Sequence, residues 1–424
     1  MKIGYACLTV SVPGTDIRGC IAKNANNENL YDIISMNLDS LMNILIYNVK
    51  NGIRLFRISS DLIPFSSSVI NKLEWQKIFK SRFFEIGEYI RNNQLRVSMH
   101  PGQYTVLNSL NEDVAKRAVD DLLYHCDVLD LMECDNSCKI ILHIGGAYDN
   151  KQKAIERFKE NYIKLDARIK KRLIIENDDR IFNISEVLDI ANQLKIPVVY
   201  DNLHNYANPY DESITDLQWI KQCSSTWTKM DGNQKIHYSE QDKGKKAGSH
   251  SQTISLSEFL HFYQNISSSD ADIMLEVKDK NISAVKCINA VSDKRKISAL
   301  EDEWARYKYS VLEKSHKHYL EIRNLIKDKN SYPVMEFYSL IEEALKMQGS
   351  VNSSINAFEH VWGYFKDKAD DKEKKKIQAL IENYKSGTSV NIENDSIKVK
   401  SFLMKLSEKY NEAYLLNSYY FYLQ

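Results

Sequence analysis

The stretch R-L-I-I-E-N-D-D-R, Arg172 to Arg180, decides how the chain reads. Leu173, Ile174 and Ile175 form a short apolar run suited to a strand buried on both faces, and it stops abruptly in Glu176, Asn177, Asp178 and Asp179. A carboxylate is thereby carried from a rigid core element to its rim. The same grammar returns along the first two thirds of the chain: V-S-M-H ends in His100, I-I-L-H in His143, V-V-Y-D in Asp201, K-I-H in His237 and I-M-L-E in Glu276. One such ending normally caps a strand or meets solvent. Repetition on successive strands points to a metal site.

Working outward, strand-like runs at Lys2 to Leu8, Ile53 to Ser59, Leu95 to His100, Lys139 to Gly146, Leu173 to Asp178, Ile196 to His204, Lys235 to Ser239 and Asp272 to Lys278 each precede an amphipathic helical run. Eight strand-then-helix units predict an α/β fold, a (β/α)8 TIM barrel over residues 1–295, with its chemistry at the C-terminal rim. An open doubly wound sheet shares the alternation but favours a Gly-rich phosphate loop after the first strand. The loop here, L-T-V-S-V-P-G-T-D, has none. Gly145 and Gly146 after His143 read as residues that let the backbone turn tightly.

Beyond Ser298 the pattern changes. Leu300 to Lys327, Tyr332 to Met347, Ile355 to Lys366, Asp371 to Lys385 and Ser396 to Tyr410 are charged and helix-periodic, which predicts a smaller all-α domain over 296–424 with no assigned role. Its aromatic residues, among them Trp304, Tyr307, Tyr309, Trp362, Tyr364 and Phe365, are expected in its core. A chain of 424 residues exceeds the usual size of one core, so two domains are the natural division.

Lys+Arg 57 against Asp+Glu 57 leaves no global basic field, so a DNA partner would have to be held by metals and a local patch. Seven scattered cysteines read as free thiols in a reducing compartment, and Cys134 with Cys138 lacks a second pair to complete a zinc site. Neither an apolar leader nor a membrane-length run is present, so the expected location is cytoplasmic, with no membrane partner.

At the predicted rim, carboxylates (Glu176, Asp201, Glu276) meet strand-end imidazoles (His100, His143, His237) and imidazoles from the following loops (His204, His250). Mixed N/O donors with bridging carboxylates suit Zn2+ or Mn2+, and so many ligands imply two or three divalent ions. Paired ions stabilise both the attacking and the leaving oxygen of a phosphoryl displacement and lower the pKa of bound water from about 15.7 to about 7. Lys235 shares a strand face with His237, which is odd for a cation: it either points outward or is chemically altered to carry negative charge. His100-Pro101-Gly102-Gln103-Tyr104 sets an amide and an aromatic ring on a Pro-stiffened loop, suited to filling the gap left by an extruded nucleotide, although Tyr104 packed inward on an ordinary rim loop is the plainer alternative. Gln241 to His250 supplies Lys243, Lys245 and Lys246 as local phosphate contacts; such loops often signify only solvent exposure.

Taken together these segments resemble the UV damage endonuclease family. The shared stretches are G-Y-A-C at Gly4, F-R-I-S-S-D-L-I-P-F at Phe56, S-M-H-P-G-Q-Y at Ser98, L-H-I-G-G-A-Y at Leu142, I-E-N-D-D-R at Ile175, P-V-V-Y-D-N-L-H at Pro197, K-I-H-Y-S-E-Q-D at Lys235, G-S-H at Gly248 and M-L-E-V-K-D-K at Met274. The resemblance implies a TIM barrel related to abasic-site endonucleases, holding up to three divalent metals, commonly Mn2+, and nicking duplex DNA 5′ to UV photoproducts and some other lesions. Mg2+ is a further candidate metal. The implied ligands are His100, His143, Glu176, Asp201, His204, His237, His250 and Glu276. Catalytic roles are implied for Glu176 and for a carboxylated Lys235, lesion probing for Gln103 and Tyr104, and a pocket role at the DNA for Tyr5. Ser68 stands where many members have a histidine, and Thr9 where an asparagine is common. The helical region resembles a separate family of unassigned role through W-A-R-Y-K-Y at Trp304 and H-V-W-G-Y-F-K at His360.

Two other readings compete: a sugar isomerase or epimerase, or an abasic-site endonuclease, on a related metal barrel; and a non-catalytic lesion binder whose helical domain recruits a protein partner. A sugar isomerase or epimerase needs no wedge pair, and a non-catalytic binder needs no water-activating cluster.

Overall fold

The computed structural model describes residues 1–148, 150–387 and 392–423. Eight short strands, β1 (Ile3–Cys7), β2 (Leu55–Ile58), β3 (Arg96–Met99), β4 (Ile140–His143), β5 (Leu173–Glu176), β6 (Val198–Asp201), β7 (Lys235–Tyr238) and β8 (Asp272–Leu275), pair in parallel and close into a barrel in chain order. Nearly every strand residue is buried, polar ones such as Arg57, Arg96 and Lys235 included, because helices cover the outside while side chains fill the inside. Tyr5 and Phe56, for example, meet edge to face at 5.2 Å. Strand β1 approaches β2 so closely that a Cβ on Gly4 would lie 1.8 Å from the Leu55 carbonyl oxygen, which explains a glycine inside a strand. Gly145 sits at φ +111°, so the residues after His143 turn tightly, as expected.

The barrel follows the predicted alternation, with local differences. Strand β5 begins at Leu173, as expected, directly after the short helix Ala167–Arg172, and ends at Glu176, two residues short of the expected Asp178. Strand β6 stops at Asp201, and the following residues form the helix Asn202–Ala207, because the Asp201 carboxylate accepts the His204 amide at 2.7 Å and caps it. His204 therefore stands on a helix and not on a loop.

The chain divides into two compact units, residues 1–9 with 14–288 and residues 10–13 with 289–424. In the second, the helices Ile297–Lys314, His316–Leu325, Val334–Lys346, Val351–Trp362, Asp371–Ser386 and Ile392–Lys409 bury Tyr309, Phe358, Phe365 and Leu403 together. Trp304 and Tyr307 are buried too, while Trp362 and Tyr364 are half-buried. The continuous helical pattern from Leu300 to Lys327 is broken at Ser315, whose extended backbone ends one helix and whose side chain accepts the His318 amide to start the next. Among the described residues, no helix is long and apolar enough to cross a membrane.

Candidate metal centre

Parallel pairing aligns the C-terminal strand ends. His143 lies beside Glu176, and Asp201 beside His237. His100 and Glu276 follow directly on β3 and β8. Side-chain clamps then lock these ends together. Asn177 exchanges two hydrogen bonds with the Asp201 backbone, at 2.9 and 3.0 Å, and Asn202 does the same with Ser239, at 2.8 and 3.0 Å. The Ser239 hydroxyl donates to the Glu276 carbonyl at 2.9 Å. Asn177 and Asn202, each the residue after a candidate ligand, thus tie one strand end to the next and, through Ser239, reach Glu276, a role that E-N-D and D-N-L-H signal once the asparagines are read as backbone clamps.

All eight candidate ligands converge. Glu176 is the hub: its Oε2 lies 3.3 Å from His100 Nε2 and 3.7 Å from His143 Nε2, while its Oε1 lies 2.7 Å from His237 Nδ1 and 3.7 Å from His204 Nδ1. Three groups have donor atoms mutually within 4.8 Å: His100 with His143 and Glu176, Glu176 with Asp201 and His204, and Glu176 with His237 and Glu276. Every group contains Glu176. His250 stands further out, its Nε2 3.8 Å from Glu276 Oε2, on a loop closed by a backbone bridge to Gln241. The Nδ1 of His100 lies 2.9 Å from the Pro101 carbonyl, so its proton sits there and Nε2 is left for the cluster.

Burial opposes the charge on Glu176, yet His237, His143 and His100 hold its carboxyl well below the usual range. At Asp201 burial wins, and the carboxyl is raised despite His204. Burial likewise opposes charge on His204, but Asp201, Glu176 and Glu276 push its imidazole up to about 9. Glu276 is held down in spite of burial by Arg57, a buried β2 residue whose guanidinium is ion-paired with it, and by His237. Arg57 escapes a reading of the sequence because an arginine inside L-F-R-I looks like a lapse in an apolar run.

Among the described residues, three buried atoms of the cluster have no hydrogen-bond partner: Asp201 Oδ2, His237 Nε2 and His143 Nδ1. Unpaired polar atoms cost about 1–3 kcal/mol each, so their concentration among N/O donors fits residues that hold metal ions. Lys235 is fully buried on the His237 face, and burial, with Arg96 adding to it, holds its amine well below the ordinary range.

Around the mouth, Gln103 is exposed and Tyr104 is 83 % exposed, which excludes an inward-packed ring. Lys243, Lys245 and Lys246 are exposed as well. Tyr5 does not face DNA: it is fully buried, with its hydroxyl donating to Asn48 Oδ1 at 2.9 Å and lying 2.6 Å from Thr9 Oγ1. Thr9 therefore serves the barrel interior. Ser68 is half-buried and accepts the Ile70 amide at 3.3 Å.

The fold and this cluster define a (β/α)8 barrel with histidines and carboxylates at its mouth that could hold metal ions. A family model described as UV-endonuclease UvdE matches residues 1–308, and one described as protein of unknown function (DUF1722) matches 308–424. A UV DNA damage endonuclease of Clostridium perfringens (strain 13 / Type A) is 41% identical over 414 residues, 96% of each chain. Another of Bacillus cereus (strain 03BB102) is 35% identical over 66% of this chain and 88% of its own. The crystal structure of SacUVDE superposes with a TM-score of 0.64 at 36% identity, covering 69% of this chain and 98% of that one. The chain belongs to the UV-endonuclease UvdE family.

Proposed function

We propose that this DNA repair endonuclease nicks duplex DNA 5′ to UV photoproducts and related lesions by hydrolysing a phosphodiester at the cluster centred on Glu176. The observation that carries the reading is the sharing of one buried carboxylate by all three ligand groups. The names of the relatives, UV DNA damage endonucleases, supply the substrate class.

Two or three divalent ions, Mn2+ first, with Zn2+ or Mg2+ as alternatives, would when bound activate water and take up charge on the phosphate. Glu176, with an oxygen facing each side, is suited to bridging. His100 and His143 would hold one position, Asp201 and His204 a second, and His237, Glu276 and His250 a third. Arg57 keeps Glu276 ionised and ready as a ligand. The unpartnered buried amine of Lys235, which burial keeps neutral, is suited to carboxylation: it adds CO2 and releases a proton to become a carbamate, which turns a neutral amine into an anionic donor. Lys243, Lys245 and Lys246 are suited to phosphate contacts, and Gln103 with Tyr104 to occupying the space of an extruded nucleotide, where stacking on an aromatic ring is worth about 1–3 kcal/mol per base.

The metal-dependent endonuclease domain is assigned to residues 1–295, and a helical domain without assigned chemistry to 296–424. The seven free thiols favour a cytoplasmic location. The test is nicking of UV-irradiated plasmid in added Mn2+. Glu176→Gln is expected to abolish it while circular dichroism stays that of the parent; undiminished nicking would refute the assignment.

A further inference from the structure

Gln103 and Tyr104 project from a turn closed by the Thr105 amide, which donates to the Gly102 carbonyl at 3.0 Å, and their side chains make no hydrogen bond among the described residues, so the placement of the turn on the barrel comes from its ends. Both ends are held by the helix Glu112–Leu131. At the far end, buried Thr105 donates its hydroxyl to Asp121 Oδ2 at 2.6 Å. At the near end, the Ser60 hydroxyl donates to the His100 carbonyl at 2.6 Å. Ser60 Oγ in turn lies 3.0 Å from Nε2 of His125, a fully buried residue one helical turn from Asp121. His125 Nδ1 lies 2.6 Å from the Asp121 carbonyl and gives its proton there, and burial disfavours a second one, so Nε2 is an acceptor that shares the single Ser60 proton with the His100 carbonyl. The other oxygen of Asp121 accepts the Ser67 hydroxyl at 3.1 Å, so one carboxylate also steadies the loop after β2.

We infer that Asp121 and His125 are positioning residues, which preset the loop 101–105 so that Gln103 and Tyr104 meet a lesion without first being ordered. Ordering a loose backbone costs conformational entropy, so a loop tied at both ends spares the duplex part of that cost on binding. The inference rests on the lesion-probing reading of Gln103 and Tyr104. It adds that this probing depends on two residues that touch neither DNA nor metal. The hydroxyls of Thr105 and Ser60 are the links through which they act.

Thr105→Val removes the hydroxyl from a buried side chain of nearly unchanged shape, and Thr105→Ser restores it. Affinity is measured by titration for irradiated and intact duplex, together with single-turnover nicking at saturating irradiated duplex and the metal content. Thr105→Val is expected to lose about tenfold in affinity for irradiated duplex, with intact-duplex affinity, saturated rate and metal content unchanged. Thr105→Ser should return most of the loss. Asp121→Asn, which keeps one of the two acceptor oxygens, should shift the preference in the same direction by less, and it covers the case in which Thr105→Val fails to fold. Parental preference in Thr105→Val, while Tyr104→Ala loses it, would overturn the inference and leave the probing reading intact. Equal losses on both duplexes, or no recovery in the serine variant, would overturn it as well. Parental preference in Tyr104→Ala would remove the probing reading and this inference with it.

Discussion

At the floor of the barrel, where the strands begin, Arg96 is paired with Asp272 at 3.0 Å and spends its remaining donors on the carbonyls of Ser137, Asp231 and Asn233. Arg172 is similarly enclosed by Asp130 and the carbonyls of Cys134, Asp135 and Cys138. At the mouth, a comparable number of buried charges face one another with Asp201 Oδ2, His237 Nε2 and His143 Nδ1 left without partners. Both ends bury charge, but the two arginine networks of the floor are satisfied by aspartates and backbone carbonyls, whereas the histidines and carboxylates of the mouth are not. A polar network satisfied within itself is structure. One that leaves donors and acceptors converging on a shared space is organised for something that enters.

If the floor is purely structural, breaking it should cost stability and nothing else. Asp272→Ala strands a buried guanidinium and is expected to lower unfolding free energy by about 3–5 kcal/mol, read from denaturant midpoints, with the metal stoichiometry of the folded protein unchanged. A loss of bound metal at this position would erase the contrast between the two ends.

At the mouth the sign should reverse. Asp201→Asn keeps the acceptor that caps His204 while removing a buried charge that burial already disfavours. Metal-free protein should gain on the order of 1 kcal/mol at neutral pH, while Mn2+-dependent nicking falls. Because the folded carboxyl titrates above its ordinary value, its contribution is fully present below the unfolded pKa and is lost as pH rises through the folded one. The advantage of the variant over the parent should therefore vanish towards acid and widen as pH rises. An advantage that is the same at every pH would assign the gain to packing.

The smallest effect is expected at the exposed lysines. Replacing Lys243, Lys245 and Lys246 with alanine should flatten the dependence of log affinity on log salt by about 0.9 for each phosphate no longer neutralised, with lesion preference kept. An unchanged slope would make these residues a solvated tip.

Much of this is legible in the chain itself, for a physical reason. Strands β4, β5 and β6, buried on both faces, are apolar or aromatic up to their last residue, so the acid or histidine at the end stands out, and Glu176, His143 and Asp201 announce themselves. The supporting contacts do not. His125 and Ser60 are 65 positions apart, and Arg57 and Glu276 are 219 apart, so only the closed barrel brings them together. The helix carrying His204 has six residues, too few for a periodic signal, and depends on the Asp201 cap. Family resemblance alone puts Tyr5 at the DNA surface, and resemblance carries no information about depth. Its hydroxyl is occupied by Thr9 and Asn48.

The account depends on Glu176 joining ions that no other residue could join. Counting divalent metal per chain by mass spectrometry, in parent and Glu176→Gln loaded with Mn2+ side by side, tests this most directly. Two to three equivalents in the parent and a loss of at least one in the variant are predicted. A single equivalent retained by both would contradict it.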